Sequence, residues 1–363
     1  MKFKQAAAVL FGALLSFSVT ADTLKLKEGH PDSYIVKKGD TLWDISAYFL
    51  DSPWLWPRLW QTNPQVKNPH LIYPGDKLYL TWVDGQPQLG RKRLKKMSPK
   101  PRIDEKRSAV PTIPLNIIEP FLTKDHIIDE SLLKDAPRVM GQNSKSTRIM
   151  KGDIFYGEGQ YDANVHYGIY RVGATYTDKT TKEVLGSKLS YIASAQVSQS
   201  KDVTTTERVT PMLVTKSDTE AKLGDIILPI PEYDVLPAFF IPSSTPKDMR
   251  GYIVDSLSER TALSRGDIVV INQGRREQIE PGAIFSIKRP GAQIVERGEK
   301  VVYKEDANTF EKIFLSGDDS LTLPEETIGM MMVFKVYEKS SLAIIVRGRE
   351  LVGQHFDIEG VDF

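Results

Sequence analysis

Tyr34-Ile35-Val36-Lys37-Lys38-Gly39-Asp40-Thr41-Leu42-Trp43-Asp44-Ile45-Ser46 opens the stretch that decides the N-terminal fold, and Asn68-Pro69-His70-Leu71-Ile72-Tyr73-Pro74-Gly75-Asp76-Lys77-Leu78-Tyr79-Leu80 closes it. Tyr34 to Val36 is a short β-type run. Lys38 to Thr41 supplies a turn and then a helix start, with Asp40 or Thr41 as N-cap. Leu42, Ile45 and Phe49 fall on one helical face, and Asp51-Ser52-Pro53 ends that helix and begins another. Trp56, Leu59 and Trp60 make the apolar stripe of the second helix, which Asn63-Pro64 ends. Tyr73 to Asp76 is a turn, and Lys77 to Leu80 alternates as a closing strand. The product is β-α-α-β in under about fifty residues.

These motifs resemble the LysM module, a fold whose members bind glycans containing N-acetylglucosamine, mostly peptidoglycan and chitin. The resemblance covers about an eighth of the chain. It implies a shallow groove between the loop after the first strand and the loop before the second. Carried over by position, the ligand-binding residues are Gly39, Asp40, Thr41 and Leu42 on one side, and Asn68, Pro69, Leu71, Ile72, Tyr73, Pro74 and Gly75 on the other. An acetamido sugar needs a backbone donor, a backbone acceptor and a small apolar slot, which turns rich in Gly and Pro can expose. The competing reading of Gly39, Asp40, Pro74 and Gly75 is that they only shape turns. Ser52 to Gln61 departs from the usual pattern with three Trp in seven residues. Trp56 and Trp60, four apart, are assigned to the core, and Trp54, ahead of the helix, to a sugar-stacking contact.

Residues 1–21 read as a secretory signal: Lys2 and Lys4, an apolar run from Ala6 to Val19, and small residues before Asp22. A periplasmic location and no membrane-spanning segment in the mature chain follow as expectations. The chain has no Cys, which removes disulfides, thiol nucleophiles and Cys-ligated zinc together. With Lys2 and Lys4 removed, 46 bases face 47 acids. Such a near-neutral chain has no global field for nucleic acid.

Beyond the module (32–82), Arg91 to Arg102 holds seven bases and no acid beside prolines, and residues 83–114 read as a basic linker. The remainder is β-rich, so the chain is α+β: a βααβ module, then two tandem β modules at 115–235 and 246–363. Arg265 to Gly274, Ile279 to Ile287, Ile328 to Tyr337 and Ser341 to Val346 are strand runs suited to a barrel-like module. Lys151-Gly152-Asp153-Ile154-Phe155 resembles Arg265-Gly266-Asp267-Ile268-Val269. Leu185 to Val197 answers Ile328 to Val336, Val209 to Val214 answers Leu342 to Val346, and Leu223 to Ile227 closes the first copy as Val352 to Phe356 closes the second. The alternative is one long irregular β domain in which Gly-Asp turns recur by chance.

Catalytic signatures are lacking. His30, His70, His126, His166 and His355 form no i, i+4 pair and no HxH cluster, so a zinc peptidase has no ligand set. No Ser-x-x-Lys with Lys-Thr-Gly set occurs. Neither a cofactor nor a metal is expected. A pair of catalytic carboxylates for glycan hydrolysis cannot be judged from spacing in sequence, and this is the enzymatic alternative. As a whole the chain resembles LysM-containing periplasmic proteins of Gram-negative bacteria with a long C-terminal region. That resemblance fixes no activity for the C-terminal region. The lack of catalytic signatures points to a non-enzymatic peptidoglycan-binding protein, and the strand pattern of the β region suits a scaffold role or contact with another envelope protein.

Overall fold

A computed structural model describes residues 24–60, 72–83, 85–91, 113, 117–118, 121, 126–200, 205–230, 240–257, 260, 262–297, 300–303 and 320–363. Residues 1–21, read from the sequence as a secretory signal, most of the expected basic linker and residues 231–239 of the expected inter-module boundary lie outside them. No helix among the described residues is long and apolar enough to cross a membrane.

The N-terminal unit is built on β1 (Ser33–Ile35), α1 (Leu42–Phe49), α2 (Trp56–Trp60), β2 (Lys77–Val83) and β3 (Gln86–Arg91). Thr41 is the N-cap of α1. Its hydroxyl accepts from the Asp44 N–H at 3.1 Å while the Asp44 carboxylate accepts from the Thr41 N–H at 3.2 Å, a reciprocal cap. Leu42, Ile45 and Phe49 are fully buried, and so are Trp56, Leu59 and Trp60, within 3% exposure. The sheet has three strands, β1-β2-β3, all antiparallel. This corrects the start of the linker: Gln86 to Arg91 is a strand, with Leu89 buried. Pro87 hides that strand in the sequence, and it is tolerated because β3 lies at the sheet edge.

The C-terminal strands are β4 (His126–Ile128), β5 (Val139–Gly141), β6 (Ile154–Glu158), β7 (Tyr167–Thr177), β8 (Val184–Val197), β9 (Val209–Ser217), β10 (Ile226–Pro229), β11 (Arg250–Ser256), β12 (Ala262–Leu263), β13 (Ile268–Ile271), β14 (Ile284–Arg289), β15 (Gln293–Arg297), β16 (Lys300–Tyr303), β17 (Ser320–Thr322), β18 (Glu326–Val336), β19 (Ser341–Gly348), β20 (Val352–Gly353) and β21 (Asp357–Gly360). A short helix, α3 (Glu130–Lys134), follows β4.

Strands β11-β13-β19-β18-β14-β21 close into a barrel. The earlier strands run β5-β6-β9-β8-β7-β10, with β4 added to β8. Their ends meet as well: Val139 N–H donates to Asp225 O at 2.8 Å and Ile227 N–H to Pro137 O at 2.8 Å, around an Arg138–Ile226 bridge. The two strand orders coincide, and so do individual bonds. Gly152 N–H donates to Val214 O and Val214 N–H to Asp153 O, while Gly266 N–H donates to Ile345 O and Ile345 N–H to Asp267 O. Gly224 N–H donates to Val139 O as His355 N–H donates to Ile253 O. Gly224 and His355 both have positive φ. Two barrels of one topology stand in series.

The Gly-Asp turn is a separate, more general device. At Lys37–Asp40, Tyr73–Asp76, Met150–Asp153, Lys222–Asp225 and Ser264–Asp267 the third residue is Gly with φ between +85° and +94°. In each, the Asp carboxylate accepts from the first residue's N–H, at 2.7 to 3.0 Å. Positive φ at the third position asks for Gly, and an acceptor at the fourth holds the otherwise free N–H. Because the turn recurs in the N-terminal unit too, it does not by itself mark a duplication. The shared strand order and ladder bonds do that.

The barrels differ in what covers them. Val269, Ile271, Met331, Val333, Ala343 and Ile345 point into the second barrel. Their neighbours Ile268, Val270, Met330, Met332, Leu342 and Ile344 are buried on its outside, in one cluster with Leu42, Trp43 and the rest of the N-terminal core. Strands buried on both faces lose polar alternation, hence the continuous apolar runs of β18 and β19. In the first barrel β8 alternates: Ala193 and Ala195 are buried, and Ser194 and Gln196 are partly exposed.

Candidate functional site

The two turns nearest β1 and β2 lie side by side. Gly75 N–H donates to Val36 O at 2.8 Å and Val36 N–H to Asp76 O at 2.9 Å, tying the exit of β1 to the entry of β2. Gly39 and Gly75 are exposed at the two turn tips, and a Cβ on Gly39 would meet nothing within 4 Å. Asp40, Tyr73 and Pro74 are half-buried. Leu42 and Ile72 are fully buried and Thr41 nearly so, which leaves these three only main-chain atoms to offer a ligand. Asn68, Pro69 and Leu71 lie outside the described residues.

The Asp40 carboxylate is already engaged. It accepts from Lys37 N–H at 2.7 Å and from the Tyr34 hydroxyl at 3.0 Å. Burial and then the Asp40 charge push the Tyr34 phenol well above its ordinary value, so Tyr34 stays a neutral donor. Asp76 likewise accepts from Tyr73 N–H and from Arg91 at 3.2 Å. Both aspartates hold their turns, and neither is free for acid–base work. Two apposed turns with exposed glycines present backbone rather than charge, which suits a neutral acetamido sugar.

Trp54 is half-buried and packs on Trp43, ring centroids 6.4 Å apart at 38°. Trp43, which the sequence reading did not single out, is 3% exposed. Its face and Thr41 border a cavity of about 20 Å³ closed on the other side by Arg265, Ile344 and Val346 of the second barrel. The Arg265 guanidinium pairs with Asp44, and Arg347 donates to Asp51 O at 3.2 Å. The barrel therefore covers the start of α1 and leaves the two glycine tips exposed. The doubly apolar runs of β18 and β19 were the signal for this contact, although they do not name the partner.

Among the described residues no group of three or more His, Asp or Glu side chains is arranged to hold a metal ion. Two further perturbed titratable groups, His126 and Asp178, belong to contacts between the barrels. His126 Nδ1 lies 2.8 Å from Lys335 Nζ, which also donates to Phe121 O at 2.7 Å. Burial, then the Lys335 charge, lowers the His126 pKa to about 4. Burial raises the Asp178 pKa, but the N–H groups of Thr181 and Thr180 and the Asn272 amide outweigh it and leave it at about 2.

The family model described as LysM domain matches residues 34–81, and this segment is a LysM domain. A 58-residue stretch is 38% identical to "Uncharacterized protein YqbP" of Bacillus subtilis (strain 168), over 13% of this chain and 26% of the relative. The chain thus spans about a quarter of that relative's length. The LysM domain supports binding of glycans that contain N-acetylglucosamine, such as peptidoglycan.

Proposed function

We propose that this protein is a non-enzymatic, periplasmic peptidoglycan-binding protein, held on glycan strands by its LysM domain and carrying two tandem barrels as a scaffold for contact with other proteins. The observation that carries the reading is the pair of apposed Gly-Asp turns, with Gly39 and Gly75 exposed and their aspartates consumed in turn bonds. Ligand contacts are assigned to main-chain groups of Gly39 to Leu42 and Ile72 to Gly75 and to Trp54, and Asn68, Pro69 and Leu71 are carried over from the LysM resemblance alone. The signal-like sequence of residues 1–21 and the near-neutral charge expected after its removal agree with this role.

The test is co-sedimentation with purified sacculi, with and without soluble N-acetylglucosamine oligomers. Retention that the oligomer releases, and that Gly39→Val with Gly75→Val weakens more than tenfold, supports the reading. Retention indifferent to both sinks it. Deleting the LysM domain is the poorer control, because it would uncover Ile344, Met332 and their neighbours and invite aggregation. Release of soluble fragments from the sacculi by the protein would instead favour a hydrolase.

A further inference from the structure

The first lip of the groove carries cations that its own fold does not neutralise. Asp40 N–H donates to Lys37 O at 3.3 Å, which closes a β-turn with Lys38 and Gly39 at its centre. Lys37 follows Val36, whose main chain bonds to both Gly75 and Asp76, so it also stands beside the second turn. Both lysines are exposed, and neither ammonium has a partner among the described residues.

The charges around them are engaged. Asp40 accepts from Lys37 N–H and the Tyr34 hydroxyl, Asp44 pairs with Arg265, and Asp76 pairs with Arg91 at 3.2 Å. Lys77, at the entry of β2, lies over the Tyr79 ring with its ammonium 5.1 Å from the centroid. The second lip, Tyr73 to Gly75, contains no Asp, Glu, Lys or Arg. Within the two described turns, Lys37 and Lys38 are therefore the free cations, and both stand on one lip of a surface that otherwise offers neutral backbone.

Glycans built on N-acetylglucosamine differ in what hangs from the sugar. Chitin is neutral along its length. In peptidoglycan alternate sugars carry a lactyl ether, and the peptide joined to it has free carboxylates that are ionised at neutral pH. A cation beside the sugar groove distinguishes the two, because only peptidoglycan offers it an anion. Lysine suits a flexible peptide: a compact charge on a long stem follows the carboxylate without the fixed two-point geometry of arginine.

We infer, resting on the glycan-binding reading of this groove, that Lys37 and Lys38 contact the stem-peptide carboxylates of peptidoglycan and make the LysM domain prefer it to neutral chitin oligomers. The main chain of the groove holds the sugar, and the two lysines read its substituent. Their attraction acts across solvent, so it fades with salt while the main-chain contacts remain.

Calorimetric titration of the whole protein tests this with three probes: an N-acetylglucosamine tetramer, a tetrasaccharide peptidoglycan fragment with free peptide carboxylates, and the same fragment with those carboxylates amidated. At about 20 mM salt the wild type is expected to bind the acidic fragment at least about fivefold more tightly than the amidated one, and at about 0.5 M salt nearly equally. Lys37→Gln with Lys38→Gln, at exposed positions where substitution is tolerated, should abolish the preference and leave tetramer binding at the wild-type level. Lys37→Arg with Lys38→Arg should keep the preference. Equal wild-type affinity for the two fragments at low salt, or a preference that survives the glutamine pair, overturns the inference. A wild type that binds none of the three probes overturns both the groove assignment and this inference, whereas tetramer binding without preference overturns this inference alone.

Discussion

Replacing His126 by Gln should remove a pH dependence that the wild type shows between pH 6.5 and pH 4. His126 lies on β4 of the first barrel and its Nδ1 faces the Lys335 ammonium of β18 at 2.8 Å, so the neutral imidazole accepts a hydrogen bond there. Protonation ends that bond and sets two cations against each other in a half-buried site. With the folded pKa at about 4 and an unfolded value near 6.5, the unfolded chain binds more protons across this window, so stability rises with pH. The contribution is complete above about pH 6.5, declines as pH falls, and levels off below about 4. Each unit corresponds to about 1.4 kcal/mol, so the wild type should lose about 2 kcal/mol between pH 7.5 and pH 5 beyond what His126→Gln loses. Urea unfolding of both proteins at pH 7.5, 6, 5 and 4 measures it, since titrations common to both cancel in the difference. Parallel pH profiles would refute the assignment of a neutral His126 bonded to Lys335.

Three further outcomes follow from the same contacts. Asp178→Ala removes an acceptor shared by two N–H groups and the Asn272 amide; it should cost about 2 kcal/mol and speed hydrogen exchange in the β7–β8 hairpin. The wild-type contribution is present above about pH 3.8 and fades as pH falls through about 2. Gly282→Ala puts a Cβ 2.2 Å from Ile241 O at φ +105°, so calorimetry should show a loss of about 3 kcal/mol or more. Ile344→Asp, at a position 1% exposed under the LysM domain, should cost about 3 to 5 kcal/mol and make the segment between the domain and the first barrel cleave faster in limited proteolysis.

The parts legible in the sequence are those set by short-range chemistry. Thr41, Asp44 and the Leu42, Ile45, Phe49 spacing define α1 within a dozen residues, and the Gly-Asp turns announce themselves because positive φ and the Asp acceptor are local demands. Strands β13, β18 and β19 stand out because both their faces are apolar. What pairs with what is not local. The β3 strand, Gln-Pro-Gln-Leu-Gly-Arg, has one apolar side chain to bury and a Pro, so only its edge position explains it. The contact of the β7–β8 hairpin with the second barrel joins Lys179 to Tyr252 and Asp357, and no spacing encodes those distances. The candidate groove shows the same division. Its glycines were readable as turn residues, whereas the engagement of Asp40 by Tyr34 and the covering of Thr41 by Arg265 and Ile344 come only from packing.

Hydrogen–deuterium exchange of the whole protein, with and without soluble peptidoglycan fragments, tests the central claim most directly. The account predicts slowed exchange in peptides spanning 37–42 and 72–76, with the barrels unchanged. Protection confined to the barrels, or none at saturating fragment, would contradict it.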